Sequence, residues 1–388
     1  MLLFKELNML KDKIEPFYNK NYKLLMLIPI TALILSLSYL VYFYNQNGDI
    51  LNKDISLKGG ISATIYTDKD INLDELSSKL NGASVRKLAD LTSGKKLGII
   101  IETDQTDSEK LKQELESYLG IQLNEENYSV EQTSSSLGSS FYKELILVII
   151  LSFILIAFVI FMTFGESNLF KAISYILTVT TVKLTFPVSM ISNFLILSGF
   201  LVMLYTFFES YKTKKNINYL YSICAGIILF LILMFPYYYF IIPIGILLFG
   251  LYFVKSPPSL AVMFAAFTDI VITLAIVDFI GMKVSAAGII GFLLIIGYSI
   301  DTDMLLTSRA LKRTEGSLFE RMYSSMKTGM TMIGTAITAL LIGYILTTSP
   351  VLKEIFIIVI IASVVDIFST YFTNSGIIKI YCDRKGIK

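Results

Sequence analysis

The sequence predicts a polytopic α-helical membrane protein of about ten transmembrane helices with one external α+β domain of ferredoxin-like type. Two observations lead to this fold class. The 388 residues are 54% hydrophobic and only 16% charged, with a mean hydropathy of +0.66, which is more apolar surface than one water-soluble core can use. Apolar windows of about 20 residues, long enough to cross a bilayer, also recur along most of the chain. Residues 45–141 contain no such window.

The order of the apolar windows predicts the topology. A lysine-rich segment, residues 1–23, precedes the first window and keeps the N-terminus cytoplasmic by the positive-inside rule. Alternate threading then places the basic clusters that flank the spans, and the C-terminal tail, on the same cytoplasmic side. The predicted windows are 24–44, 142–164, 169–186, 189–208, 218–235, 237–254, 259–279, 284–306, 328–347 and 353–373. The sequence therefore predicts a multi-pass protein of the cell membrane with both termini in the cytoplasm.

These windows divide the chain into predicted regions. The regions are a cytoplasmic N-terminal segment (1–23), a first transmembrane helix (24–44), an external domain (45–141), a second core transmembrane helix (142–164), an inserted four-helix transmembrane segment (165–255), four C-terminal core transmembrane helices (256–376) and a cytoplasmic tail (377–388). Within the external domain, alternating apolar residues and helical periodicity predict the order βαββαβ. The elements lie at about 60–67, 73–81, 83–91, 96–103, 107–119 and 127–133. This is the element order of a ferredoxin-like sandwich.

Aspartates inside the predicted spans are the candidate functional residues. A carboxylate in a bilayer costs at least roughly 2.5–3.5 kcal/mol, so it is retained chiefly for function. We predict Asp301 as the leading ion-coupling residue, with Asp269 and Asp366 as its network partners. Asp303 and Asp278 lie near the ends of their spans and are predicted to be solvated or capping groups. The alternative is that each carboxylate accepts hydrogen bonds from a neighbouring helix and stabilises the bundle.

The composition argues against several other classes of protein. The chain contains no histidine and two cysteines that lack metal-ligand spacing, so it offers no histidine-based triad and no recognisable metal site. Gly59 and Gly60 lack the surrounding pattern of a phosphate-binding loop and are expected to allow a close backbone approach at the first strand. A net charge of +2 gives no global basic excess for nucleic acid. The sequence predicts no enzyme, no cofactor and no metal.

Three motifs carry a resemblance to a known family. The first reads I-S-L-K-G-G at residues 55–60, and the second reads S-L-A-V at 259–262 followed by A-F-T-D-I-V-I-T at 266–273. The third reads G-Y-S-I-D-T-D at 297–303, followed by L-L-T-S-R at 305–309, by an aspartate at 366 and by T-N-S-G-I at 373–377. The chain thus resembles the SecF members of the SecD/SecF protein-export family, in their archaeal form. The motif residues are Lys58, Gly59, Gly60, Gly297, Tyr298, Ser299, Thr302 and Asp303.

The resemblance implies a six-helix core of the resistance-nodulation-division (RND) superfamily that assists protein export with the help of an ion gradient. It also implies a set of partners: a SecD-like subunit supplying the second six-helix half, the Sec translocation channel, an unfolded secretory polypeptide and membrane lipid, but no nucleic acid. The chain departs from the family by about four inserted helices. It also carries Asp301 where the bacterial SecF pattern has its acid one position later, at Thr302. Proton coupling is thus implied only by analogy.

Two other functions fit the same sequence features. A small-molecule or lipid transporter of the RND superfamily would share the membrane carboxylates, but such chains usually duplicate the six-helix unit and carry larger external domains. A non-transporting structural membrane subunit would tolerate Asp301→Asn without loss of function.

Overall fold

The computed structural model describes residues 2–67, 69, 71–80, 83–89, 96–105, 107–185, 241–347 and 349–387. In chain order its elements are α1 (Leu2–Asn47), α2 (Ile55–Lys58), β1 (Gly60–Tyr66), α3 (Leu73–Lys79), β2 (Ser84–Ala89), β3 (Lys96–Thr103), α4 (Ser108–Leu119), β4 (Tyr128–Thr133), α5 (Ser135–Phe164), α6 (Asn168–Thr185), α7 (Ile241–Lys255), α8 (Pro257–Phe279), α9 (Ala286–Lys312), α10 (Leu318–Leu346), α11 (Pro350–Phe368), a π-helix (Ser369–Asn374) and α12 (Ser375–Lys385).

Several of these helices have the length and composition of membrane spans. Among the described residues, five are long and apolar enough to cross a bilayer: Lys13–Asn47 of α1, and α5, α8, α9 and α10. Helices α6 and α7 contribute shorter apolar stretches, and α11 continues through the π-helix into α12. The predicted spans 189–208 and 218–235 lie outside the described residues. The protein is therefore a multi-pass membrane protein, and the total of ten spans stays a prediction.

Helix α8 lies at the centre of the membrane-spanning part. It contacts α1, α5, α7, α9, α11, the π-helix and α12. Small side chains at Ala261, Ala265 and Ala266 are buried on this helix, and small residues let neighbouring helices approach closely. Helix α10, in contrast, lies at the edge of the described helices, since most of its apolar stretch is exposed. The interior of the helical part thus lies around α8 and its contacts with α9 and α11.

The segment predicted to be external folds as one antiparallel sheet covered by two helices. The strand order is β2-β3-β1-β4, and all three strand pairs are antiparallel. Alternate residues of β1, namely Ile61, Ala63 and Ile65, are fully buried against Leu76 of α3 and Leu111 of α4. This period of two is that of a strand with one face on a core. Hydrophobic burial between the sheet and the two helices therefore forms a core separate from the membrane helices.

The glycine pair of the first motif lies where the chain passes into β1. Gly59 has a φ of +86°, and a Cβ placed on it would lie 2.4 Å from the Cα of Ser135 at the start of α5. A Cβ on Gly138, one turn further along α5, would lie 2.9 Å from the carbonyl oxygen of Leu57. The chain therefore enters and leaves the domain that holds the sheet by two segments in backbone contact, which only glycine permits. This is the close approach expected from the sequence.

Candidate functional site: three buried carboxylates

Three aspartates from different helices meet in the interior of the helical part. Asp269 lies on α8, Asp303 on α9 and Asp366 near the end of α11, and their side chains are 0%, 0% and 4% exposed. One carboxylate oxygen from each lies within 4.8 Å of the others. Hydrophobic helices thus enclose three acidic groups at one point, an arrangement that is expensive to bury and is expected to be functional.

The π-helix supplies a hydrogen-bond donor to each of the three carboxylates. Ser369 Oγ donates to Asp269 Oδ1, Thr370 Oγ1 donates to Asp366 Oδ1 at 2.8 Å, and Asn374 Nδ2 donates to Asp303 Oδ1 at 2.8 Å. Consecutive side chains of an ordinary α-helix advance by about 100°, whereas a π-turn holds one extra residue. This wider turn is rare and occurs mostly at functional sites. The widened segment places its polar side chains around the acidic cluster.

Helix α9 completes the donor set from the opposite side. Ser299 Oγ donates to Asp269 Oδ2 at 2.5 Å, and Thr302 Oγ1 lies 2.9 Å from Asp366 Oδ2. Ser299 and Thr302 are three residues apart, so they project from adjacent turns of one helix face. Both were singled out in the sequence only as motif residues. Their hydroxyl groups hold the carboxylates of α8 and α11 against α9.

One carboxylate oxygen in the cluster is left without a donor. Asp303 Oδ2 is buried and has no hydrogen-bond partner. In the part of the chain that the structure describes, no lysine or arginine forms an ion pair with any of the three aspartates. Three negative charges at this separation in a medium of low dielectric repel strongly, so the cluster needs at least one added cation or proton. The arrangement can therefore bind and release a proton or a small cation.

The structure corrects the predicted membership of this cluster. Asp301, expected to be linked with Asp269 and Asp366, is exposed and is not one of the three clustered carboxylates. Asp303, expected to be a solvated or capping group, is fully buried and takes its place. The reason is helical phase, because two residues separate the side chains by about 200° around the axis. Asp278 is also buried, with its Oδ1 accepting a hydrogen bond from the Asn52 backbone amide at 3.0 Å.

Asp301 instead lines a groove that reaches the cluster. The groove encloses about 290 Å³ between α9, α10 and α11. Its lining includes Asp301, Tyr298 and Thr335, and at its inner end Ser299, Thr302 and Asp366. Gly297, another motif residue, is exposed, and a Cβ placed on it would meet no atom within 4 Å. The groove thus connects the exposed carboxylate of Asp301 with the buried carboxylate of Asp366.

Sequence reasoning missed the polar residues of the π-helix. Ser369, Thr370 and Asn374 are each fully buried. Asn374 lies in the T-N-S-G-I motif but was not assigned to the site, and Ser369 and Thr370 read in the sequence as ordinary polar residues near the end of a span. One signal could have identified them: a run of aromatic and polar residues, S-T-Y-F-T-N, follows Asp366 before any further charged residue. Polar groups at membrane depth need partners, so such a run indicates a polar site on a facing helix.

Comparisons with known proteins show what the chain is similar to. The family model described as "Protein export membrane protein SecD/SecF, C-terminal" matches residues 218–384, which include all three buried aspartates. The protein-export membrane protein SecF of Methanocaldococcus jannaschii is 28% identical over 369 residues, covering 93% of this chain and 96% of that protein. SecF of Pyrococcus furiosus is 37% identical over 135 residues, covering 35% of this chain and 46% of that protein.

A solved structure shows the same fold. The crystal structure of SecDF, a translocon-associated membrane protein from Thermus thermophilus, superimposes with a TM-score of 0.52 at 12% sequence identity. The match covers 94% of this chain but 38% of that chain, so this chain spans less than half of the SecDF polypeptide. The motifs, the fold and the Methanocaldococcus jannaschii relative that matches along almost the whole length point the same way. By sequence, the chain is similar to the SecF members of the SecD/SecF family of protein-export membrane proteins.

Proposed function

We propose that this protein is an auxiliary subunit of the Sec protein-export machinery that uses an ion gradient through its buried aspartates. The family and the SecF relatives support the export role. The observation that carries the coupling proposal is the buried cluster of Asp269, Asp303 and Asp366. Since a cluster of buried carboxylates without a paired cation must gain protons or a cation to be stable, its occupancy depends on the ion concentration at its access path.

The coupling ion in this proposal is the proton. Five donors already occupy the other carboxylate oxygens of the cluster, which leaves Asp303 Oδ2 as the open position. One open oxygen suits a shared proton better than a hard metal cation, which needs six or more oxygen ligands. The groove past Asp301 is the proposed access path. Asp301 then keeps its predicted role in ion coupling, as a residue of the path and not of the buried cluster.

The proposed assembly pairs this chain with a SecD-like subunit. One chain supplies one six-helix half, and it aligns with 38% of the Thermus thermophilus SecDF polypeptide. The partner completes the second half, and the complex acts beside the Sec channel in the cell membrane on an unfolded secretory polypeptide. The domain at residues 45–141, with its β2-β3-β1-β4 sheet, is proposed as a ferredoxin-like external domain. The helices between residues 165 and 255 are proposed as a peripheral insert.

The export role is tested by replacing the chromosomal copy with variants and following a secreted reporter by pulse-chase. Asp303→Asn keeps the shape and the Oδ1 acceptor but cannot exchange a proton, so we expect export to slow and to lose its dependence on external pH. Asp383→Asn, at a carboxylate 52% exposed in the tail, is the matched control and is expected to export normally. Equal export by both variants at every external pH contradicts ion coupling through the cluster.

The partner claim has its own test. Affinity purification of the tagged protein from native membranes in mild detergent is expected to recover a SecD-like subunit. Recovery of a homo-oligomer alone, together with normal export after depletion of the protein, contradicts the export role and favours the small-molecule or lipid transporter.

A further inference from the structure

The loop that joins the two helices carrying Asp269 and Asp303 is short and lies against the external domain. Residues 280–285 connect α8 directly to α9, so the connection is too short to move independently of the two helices. A displacement of the loop therefore moves the ends of both helices. The position of this loop is fixed by two sets of contacts with the external segment.

The first set is a backbone ladder to the segment that precedes β1. The Val284 amide donates to the Asn52 carbonyl oxygen at 2.7 Å, and the Asp54 amide donates to the Val284 carbonyl oxygen at 2.9 Å. Lys53 and Val284 thereby form a parallel β-bridge. The Ala286 amide, at the start of α9, donates to Ser56 Oγ at 3.1 Å. This ladder attaches the loop to the base of the external domain.

The second contact reaches the sheet itself. Lys283 Nζ lies 2.9 Å from Glu102 Oε2, and Glu102 is a β3 residue whose side chain is 3% exposed. Its other oxygen is paired with Arg86 of β2, within the same domain. Burial and the neighbouring Arg86 guanidinium hold the pKa of Lys283 below its ordinary value. The ammonium group is thus partly desolvated where it pairs with a carboxylate that already has a partner.

We propose that the Lys283–Glu102 ion pair is the link that transmits the position of the external domain to the acid-bearing helices α8 and α9. Lys283 and Glu102 are positioning residues in this proposal and touch neither the coupling ion nor the secreted chain. The ion pair joins residues 181 positions apart, and a buried carboxylate responds strongly to the loss of one cation. Only the transmission step rests on the proposed function; the attachment of the loop does not.

The attachment is tested by amide hydrogen exchange on the purified full chain in lipid nanodiscs. Lys283→Met removes the cross-domain partner of Glu102, while Arg86→Met removes its intradomain partner and serves as the matched control. Lys283→Met is expected to raise exchange of the Val284 and Asp54 amides about tenfold or more and to leave β1 protected, because the loop opens without unfolding the sheet. Arg86→Met is expected to raise exchange within β2 and β3 instead.

The transmission step is tested by adding Asp303→Asn to each background. In the otherwise native chain, this change in the cluster is expected to alter exchange in the sheet around Glu102. In the Lys283→Met background the same change is expected to leave the sheet unaltered. The proposal is overturned if Lys283→Met and Arg86→Met affect the same amides equally, or if the effect of Asp303→Asn on the sheet persists without Lys283. Because neither readout involves export, a failure of the export role is distinguished from a failure of the link.

Discussion

Gly329 on α10 lies directly against the π-helix, and its substitution tests how tightly that segment is packed. A Cβ placed on Gly329 would lie 1.9 Å from the hydroxyl oxygen and 3.2 Å from Cζ of Tyr371. Tyr371 is a buried residue of the π-helix. Because the buried Tyr371 ring has little room, Gly329→Ala must displace it within the segment that holds the donors of the acidic cluster.

The magnitude follows from comparison with a second glycine on the same helix. A Cβ on Gly334 meets no atom within 4 Å, so Gly334→Ala gains the helix propensity of alanine without a clash. The propensity gain of about 1 kcal/mol is common to both variants and cancels in their difference. The overpacking cost alone remains, and Gly329→Ala is expected to be about 1–3 kcal/mol less stable than Gly334→Ala.

Thermal unfolding in nanodiscs, followed by circular dichroism, measures this difference. We expect Gly334→Ala to unfold at or above the temperature of the unsubstituted protein and Gly329→Ala below it. Export of a reporter is expected to fall with Gly329→Ala and to stay normal with Gly334→Ala. Equal melting temperatures for the two variants would refute the packing of Tyr371 against α10.

Two further predictions concern the contacts at the two ends of the molecule. Gly59→Ala is expected to reduce the yield of folded protein and to make the external domain sensitive to protease, since its φ of +86° and the Ser135 backbone leave no room for a side chain. At the other end, Lys385 pairs with Glu166, which lowers the pKa of Glu166 and raises the pKa of Lys385. The contact is complete near neutral pH and is lost as pH falls through the lowered pKa of Glu166 or rises through the raised pKa of Lys385. A spin label near the C-terminus should become mobile in acid in the native chain and should already be mobile at neutral pH in Lys385→Gln; equal mobility at neutral pH would contradict the contact.

The sequence predicts the parts of this molecule that depend on local composition and on the spacing of apolar residues along the chain. Hydropathy windows predict the long apolar helices, because an apolar segment of about 20 residues has few alternatives to spanning a bilayer. The period of two in β1 likewise predicts which side of the strand is buried, as found for Ile61 and Ile65. In both cases the information is local, so it can be read without knowing what the segment contacts.

The acidic cluster depends on information that is not local. Asp301 and Asp303 lie in the same span and have the same chemistry, and only the rotation of α9 about its axis decides which of them faces Asp269. That rotation is set by packing against α8 and α11. The π-turn that places Asn374 within hydrogen-bonding distance of Asp303 has no sequence signature of its own and depends on the same packing. The sequence therefore indicates that a carboxylate site exists, but it groups Asp301 with Asp269 and Asp366 where the structure has Asp303.

Infrared titration of the purified protein in lipid measures the protonation of the cluster most directly. We predict a protonated carboxyl band that diminishes as the pH is raised, is lost or shifted in Asp303→Asn, is unchanged in Asp383→Asn, and is the same whether the salt is sodium or choline chloride. A band that Asp303→Asn leaves unchanged would contradict proton binding at the cluster. A band that sodium abolishes and choline does not would indicate that the cluster binds a metal cation in place of the proton.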